Sequence, residues 1–252
     1  MKAWMMAVAI ACVPLGAIAA EPQGERIVTL QWELALDADG HVIALASKNR
    51  SYDALRERLE PVVRGWDFEP GRIDGRPAPT DTMLSVQVTL VPQADGKAFG
   101  VKLRDVRTGG SIAPAGNVAP RMTARELERM VRSRERSAMV VIEARYDGDG
   151  KPIEVAAVPG ATRAPKGLVD ASVVAIRQWT FEPERVGGIG VPGRVVTPIC
   201  FAIGTRPAET SRALEGCARW TPPGSTASLG EGETLAFDSR VRLKSDPFAA
   251  AL

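Results

Sequence analysis

The stretches RGWDFEP at residues 64–70 and RQWTFEP at residues 177–183 spell almost the same seven letters twice. Trp, Phe, Glu and Pro stay in step, and the similarity continues without a gap as far as Leu90 in the first stretch and Ile203 in the second. Each repeated segment is as long as a small domain, which argues against a solenoid of short repeats. The chain is therefore predicted to contain the same small domain twice.

Each copy begins with a pattern that predicts two antiparallel strands. Apolar residues alternate with more polar ones from Val28 to Leu36 and again from Val140 to Tyr146, as in a strand with one buried face. A D-x-D-G stretch follows in both copies, at residues 37–40 and 147–150. Asp and Gly tolerate the positive φ that hairpin turns need, so the chain is expected to turn there and return as a second strand.

A helix and a third strand complete each copy. Apolar residues at helical spacing lead up to each repeated Trp, so each helix can lay one apolar stripe on its sheet. The residues predicted to fill the two cores are Trp66, Phe68, Trp179 and Phe181. The order strand, strand, helix, strand predicts an α+β fold with two units, each a three-stranded antiparallel sheet packed by one or two helices.

Changes in composition mark the remaining segments. The two copies cover residues 26–92 and 118–204, and residues 93–117 between them are predicted to be a linker because they are rich in Gly, Pro and small residues. The second copy opens with a charged helix in which Thr123 and Glu126 have the spacing of a capping box.

The last strands of the two copies differ on their second face. In the first copy this face is mostly polar, with Met83, Ser85, Gln87 and Thr89. In the second copy it is apolar, with Val196, Pro198, Cys200 and Ala202, which predicts that something covers it. The nearest candidate is the tail at residues 205–252, although its richness in Gly, Pro, Ser and Thr suggests a loosely ordered segment.

The first twenty residues have the features of a secretory signal peptide. Lys2 supplies a positive end, residues 3–15 are apolar, and small residues precede a cleavage site near Ala19 or Ala20. We expect residues 1–20 to direct export to the periplasm and to be removed. One alternative is an uncleaved segment that anchors the chain in the inner membrane, since the apolar run is just long enough to span a bilayer. Lipid modification of Cys12 is another.

Two cysteines remain after removal of the signal, Cys200 and Cys217. Disulfides persist in compartments outside the cytoplasm, so we predict that these two residues are bonded. Closing a loop of this length stabilises a fold by about 3 kcal/mol on the chain-entropy model. The alternative is a pair of unbonded thiols.

Composition and motifs give no sign of catalysis. The formal net charge of +2 over 252 residues does not call for a nucleic-acid partner. His41, the single histidine, stands beside a predicted turn, a poor position for a nucleophile and base pair. Neither a His-Glu-x-x-His motif nor a paired Cys-x-x-Cys spacing is present, which argues against a zinc site.

Two further patterns match a motif only in part. The D-x-D-G stretches are typical of calcium loops, but Lys48 and Val158 stand at the twelfth positions, where a calcium loop requires Glu. Residues 188–193 spell G-x-G-x-x-G, yet they follow a helix and precede a strand, the reverse of a dinucleotide site. We therefore predict no catalytic residue, no cofactor and no metal, and a chain that is not an enzyme.

The segment LVDASVVAIRQWTFEPERVGGIGVPGRVVTPICFAIG at residues 168–204 closely resembles the C-terminal domain of the TonB energy-transducer family. In that family a helix ending in a Trp-x-Phe-x-Pro-like stretch precedes a crossover and a Val-Pro-Ile-x-Phe-like strand. The similarity covers residues 118–204, and residues 26–92 resemble a second, more diverged copy. The resemblance implies a periplasmic domain that binds a short segment of outer-membrane receptors by adding it as a strand at the sheet edge.

The last strand of the second copy is the expected partner surface. Pro198 has no N–H to donate to a ladder, so it is most easily placed on an edge strand, and an exposed edge is a template for strand addition. The predicted partner-binding residues are Val195, Val196, Thr197, Pro198, Ile199 and Phe201. The alternative is an edge covered by the tail or by the other copy.

The chain departs from a full transducer in several ways. Its first twenty residues are predicted to be a cleavable signal, whereas a transducer keeps a membrane helix there. It has no long Pro-rich spacer and continues beyond the last strand, and Met122-Thr123 replaces the Tyr-Pro that often opens the domain. We therefore expect a non-enzymatic periplasmic protein that binds peptide or protein segments, including those of outer-membrane receptors. The alternatives are an anchored energy transducer and an enzyme with an unrecognised site. Partner identity and oligomeric state stay open.

Overall fold

A computed structural model describes residues 25–48, 52–93, 99–113, 116–203, 217, 219–230 and 233–247. The predicted signal peptide at residues 1–20 lies outside these residues. Among the helices of the described part, none has both the length and the apolar character needed to cross a membrane. The fold is mixed α+β, with mostly antiparallel sheets.

The first unit contains three main strands and one helix. Its elements are β1 (Arg26–Leu36), β2 (Val42–Ser47), α1 (Asp53–Arg64), the short strands β3 (Phe68–Glu69), β4 (Arg72–Ile73) and β5 (Arg76–Pro77), and β6 (Thr80–Pro92). The main strands pair antiparallel in the order β2-β1-β6. The helix α1 buries Leu59 and Val63 against the apolar face of this sheet. Two more strands, β7 (Phe99–Gly109) and β8 (Ser111–Ile112), follow.

The second unit repeats this order after an additional helix. Its elements are α2 (Ala124–Ser133), β9 (Ser137–Tyr146), β10 (Pro152–Ala157), α3 (Lys166–Ile176), the short strands β11 (Phe181–Glu182), β12 (Arg185–Val186) and β13 (Ile189–Gly190), and β14 (Gly193–Ala202). The sheet order is β10-β9-β14-β15, where β15 (Leu235–Ala236) belongs to the tail, as does β16 (Arg242–Leu243). The capping box predicted for α2 is confirmed: Thr123 and Glu126 bond to each other's backbone N–H.

The D-x-D-G turns have the same construction in both units. Asp37 Oδ1 accepts the backbone N–H of His41 at 2.9 Å, and Asp147 Oδ1 accepts that of Lys151 at 2.9 Å. The glycine that closes each turn, Gly40 or Gly150, has a positive φ, and its carbonyl accepts the N–H of the repeated Phe. A Cβ at either glycine would overlap that Phe's carbonyl oxygen, so both turns require glycine.

Each unit has its own apolar core. Phe68 and Phe181 are fully buried, at 0% and 1% exposed, and Trp66 is 6% exposed. Trp179 differs from these three residues because it is only partly buried, and its Nε1 donates to Val118 O at 2.9 Å. The repeated letters therefore occupy equivalent places in the chain, but the two Trp side chains have different surroundings.

The predicted linker at residues 93–117 contains a long strand, so that prediction was wrong over the extent of β7. β7 pairs antiparallel with β6 from Met83↔Gly109 to Pro92↔Phe99. The outer edge of β6 otherwise has unpaired N–H and C=O groups, and β7 satisfies them.

The tail is packed between the two units over its described residues, so the expectation of loose order does not hold for them. Its Ser228 exchanges hydrogen bonds with Gln87 of β6 at 2.7 and 3.1 Å. The next residue, Leu229, packs against Val196 on the apolar second face of β14 and against Val141 of the neighbouring β9. The prediction that the tail covers this face is thus confirmed.

The two units are also joined directly. β12 follows the helix of the second unit, yet it pairs with β6 through Arg185↔Asp81 and Val186↔Thr80. The crossover of the second unit therefore extends the sheet of the first.

Candidate functional site

The outer edge of β14, the predicted partner surface, is covered by the tail. Residues of β15 pair with it as Val195↔Ala236 and Val196↔Leu235. The N–H of Phe237 donates to Arg194 O at 3.0 Å. All six predicted partner-binding side chains are buried: Val195, Val196, Thr197, Pro198, Ile199 and Phe201. The structure therefore has the covered edge that the sequence left as an alternative.

Two further contacts hold the tail at this edge. Thr197 Oγ1 donates to Glu233 O at 3.0 Å. The predicted disulfide is confirmed, with Cys200 and Cys217 bonded and their Cα atoms 5.9 Å apart. Backbone N–H and C=O groups alternate in direction along a strand. The backbone nitrogen of Pro198 therefore points to the same side as the carbonyl of Arg194, which is the side of the tail. A proline at this position leaves no N–H unpaired where the ladder with β15 has ended.

The equivalent edge of the first unit is closed as well, in that case by the whole length of β7. Each unit thus already carries an added strand on its third main strand. Within the described part of the chain, β2, β7 and β13 pair on one side only in the first sheet, and β10 and β15 do so in the second. These outer edges are the places where another strand can pair without displacing a segment of the chain.

A groove of about 420 Å³ runs along the face of the first sheet next to β2, on the side opposite the apolar core. Its floor carries three small side chains, Ala35, Ala44 and Ala46. Its charged lining residues are Glu33, Asp81, Glu182 and Arg185. The small side chains leave room for side chains of a segment lying along the edge.

One end of the groove is built from both units. Lys48 forms an ion pair with Glu182 and donates to Ser111 Oγ at 3.0 Å. The Lys48 side chain is only 12% exposed, and a buried ammonium group is stable only when it is paired in this way. The contact holds the crossover of the second unit against the β2 edge of the first.

The corresponding face beside β10 has much less space. Its cavity is about 160 Å³ and is lined by Glu143, Arg145, Glu154 and Ala156. Arg145 and Glu154 stand where the first unit has Ala35 and Ala44, and they form an ion pair at 3.3 Å. The two units therefore share an open edge, but only the first has a roomy groove beside it.

Three potential metal ligands meet at the first turn. Oxygen or nitrogen atoms of Asp37, Asp39 and His41 lie within 4.8 Å of one another. The Asp37 carboxylate is already committed to the turn, and the hydrogen bond from the His41 N–H is the main reason that the pKa of Asp37 is lowered. The second unit builds the same turn with Lys151, which cannot bind a metal as a cation. The cluster is thus explained by the turn.

Sequence reasoning missed a buried carboxylate at the junction of the units. Glu184 is 5% exposed and accepts hydrogen bonds from Thr82 Oγ1 at 2.6 Å, Ser239 Oγ at 2.7 Å and the Arg240 N–H at 2.6 Å. These donors come from the first unit and from the tail. Glu184 therefore joins three parts of the chain, and such long-range pairing has no local sequence signal.

Comparisons of the chain with protein-family models, curated proteins and solved structures gave no match.

Proposed function

We propose that the protein is a periplasmic, non-enzymatic binding protein with two TonB C-terminal-like units. It takes up an extended segment of a peptide or protein as an additional strand on the outer edge of β2. The partner class that the resemblance implies is a segment of an outer-membrane receptor. The observation that carries the proposal is the combination of a one-sided edge strand with a groove on the same face of the sheet.

Strand addition needs two kinds of contact. The backbone of the incoming segment bonds to the free N–H and C=O groups of the edge, which supplies affinity for any extended chain. Its alternate side chains point to one face of the sheet, and the groove over Ala35, Ala44 and Ala46 receives them. The acidic rim residues Glu33 and Asp81 favour a segment that brings a basic side chain.

The strands equivalent to the family's binding strand support the same mode of binding. Both β6 and β14 accept an extended segment of the same chain, β7 in one unit and β15 in the other. The edges of these units thus pair readily with extended chain. β2 is the edge where this capacity has a groove beside it.

The test is an array of extended peptides incubated with the purified mature chain. In the Ala35→Arg/Ala44→Glu variant, the ion pair of the second unit is transferred to the groove of the first. We expect this variant to lose the peptides that the wild type binds, because its groove is filled.

The matched control is Arg145→Ala/Glu154→Ala, which removes the ion pair beside β10 in the second unit and leaves the β2 groove unchanged. Its peptide profile should include every peptide bound by the wild type. An array on which the wild type binds nothing, or on which the filled-groove variant binds the same peptides equally well, would contradict the proposal.

A further inference from the structure

A second cleft lies on the other side of β12 from the β2 groove. Its volume is about 520 Å³. Arg185 lines the groove and Val186 lines the cleft, as expected for neighbouring residues of a strand, whose side chains point to opposite faces. The two cavities are therefore separate sites on opposite faces of the extended sheet.

The cleft is rich in arginine. Arg72 comes from the first unit, and Arg240 and Arg242 come from the tail; all three are exposed. Among the described residues, Arg240 and Arg242 form no ion pair within 4.0 Å. The acid that lines the cleft, Glu69, is partly exposed. It is bonded to Arg72 at 3.2 Å and stands opposite Arg242 in the β3–β16 pairing.

The buried Glu184 carboxylate behind Arg240 is also committed, since it accepts three hydrogen bonds including one from the Arg240 backbone. Three guanidinium groups thus face a single partly exposed carboxylate. Arginine binds carboxylates through paired, nearly parallel hydrogen bonds, and its planar group is weakly hydrated. The surplus of positive charge in the cleft fits an anionic ligand.

The spacing of the two tail arginines indicates what kind of anion fits. They flank Val241, which is 2% exposed and packs into the core of the first unit. Both arginines line the same cleft, and a span of two residues places their Cα atoms at most about 7 Å apart. Acidic residues two apart in an extended ligand also lie at most about 7 Å from each other, so each can meet one of the two arginines.

We propose that this cleft binds an acidic segment of extended chain in which two carboxylates are separated by one residue. Arg240 and Arg242 each receive one carboxylate. Of the apolar residues that line the cleft, Pro70 and Val186 are buried and Val191 is partly exposed.

The probe is the fluorescein-labelled, amidated peptide Gly-Ser-Glu-Ser-Glu-Ser-Gly, and the measurement is fluorescence anisotropy with the full mature chain. The Arg240→Gln/Arg242→Gln variant should bind this peptide about tenfold more weakly, since it loses two exposed ion pairs. The control Arg125→Gln/Arg129→Gln removes the same charge from exposed positions of α2 and should leave the affinity unchanged.

Three outcomes would overturn the proposal. The first is equal affinity of the Arg240→Gln/Arg242→Gln variant and the wild type. The second is equal affinity for a peptide of the same composition with adjacent glutamates. The third is displacement of the probe by inorganic phosphate at matched anionic charge, which would assign the cleft to a compact anion instead.

This inference does not rest on the proposed function. The Ala35→Arg/Ala44→Glu variant fills the groove on the opposite face and should bind the acidic peptide as tightly as the wild type. Loss of array binding with retention of the acidic probe, or the reverse, separates the two sites.

Discussion

The two units follow the same chain order and build the same turn, yet each closes the edge of its third main strand differently. In the first unit β7 pairs along nearly the whole of β6. In the second unit β15 covers β14 over only two paired positions, and the disulfide holds the tail nearby. The two units thus share their local construction, whereas their long-range contacts differ.

The second faces of the two sheets also differ in the contacts that they make with the tail. The polar face of β6 is buried because Gln87 bonds to Ser228 of the tail. The apolar face of β14 is buried because Val196 packs against Leu229. Consecutive tail residues therefore satisfy two chemically different surfaces. The tail thus contacts a polar face in one unit and an apolar face in the other.

The repeated tryptophans provide the largest expected difference between the units. Trp66→Ala removes a side chain that is 6% exposed, and we expect a loss of about 3–5 kcal/mol in the free energy of unfolding. Trp179→Ala removes a partly buried side chain and one hydrogen bond, so we expect a loss of about 2 kcal/mol. Urea unfolding of both variants measures the two losses.

The control is Val174→Ala, at a side chain that is 55% exposed in α3 and should change the free energy by less than about 0.5 kcal/mol. Equal losses for the two tryptophan variants would show that the units are more alike than the structure indicates.

The disulfide provides the next effect, and it belongs to the second unit. In Cys200→Ser/Cys217→Ser the cross-link over a sequence separation of 17 is lost, which should cost about 3 kcal/mol. Dithiothreitol should destabilise the wild type by a similar amount and leave the variant unchanged. A wild type whose urea midpoint does not respond to the reductant would contradict this assignment.

The parts of the fold that local patterns encode were predicted from the sequence. The D-x-D-G turns, the alternating main strands and the Thr123–Glu126 capping box each depend on residues close together in the chain. The cysteine pair was inferred from the expected compartment. These features follow rules of turn chemistry, periodicity and redox environment that hold in any fold.

The prediction of β7 as a linker shows where composition misleads. Val101 and Leu103 alternate with Lys102 and Arg104, which is a strand signal, but the Gly- and Pro-rich composition of the residues that follow favours a linker. The tail was likewise interpreted from composition. Its described part is ordered by distant partners and by ion pairs such as Arg219–Glu233 at 2.8 Å, which no local pattern contains.

The partner-binding residues predicted on β14 are buried, and the tail covers that strand. Pro198 favoured an edge strand, but β14 lies between β9 and β15, the covered alternative that the sequence left open. The groove beside β2 depends on Ala35 and Ala44 standing where the other copy has Arg145 and Glu154. The sequence alone does not show that these positions lie beside a groove, because that depends on the register in which the strands pair.

A smaller effect of pH should distinguish the two cores. Tyr146 of the second unit is buried and stacked on Phe181, with ring centroids 5.1 Å apart, whereas the first unit has Leu36 at the equivalent position. Burial raises the pKa of Tyr146 above its usual range, and the Glu184 and Asp238 carboxylates raise it further. The unfolded chain should therefore release this proton at a lower pH than the folded protein.

The sign of the effect follows from that order of pKa values. The stabilising contribution of neutral Tyr146 is complete below about pH 10, the ordinary tyrosine value, and is lost as the pH rises from there through the folded-state pKa. Urea midpoints measured above and below this pH should fall more steeply for the wild type than for Tyr146→Phe. Tyr52, the other tyrosine, is 54% exposed and is present in both proteins. Parallel profiles for the two proteins would contradict the prediction, because they would mean that Tyr146 is solvated in the folded protein.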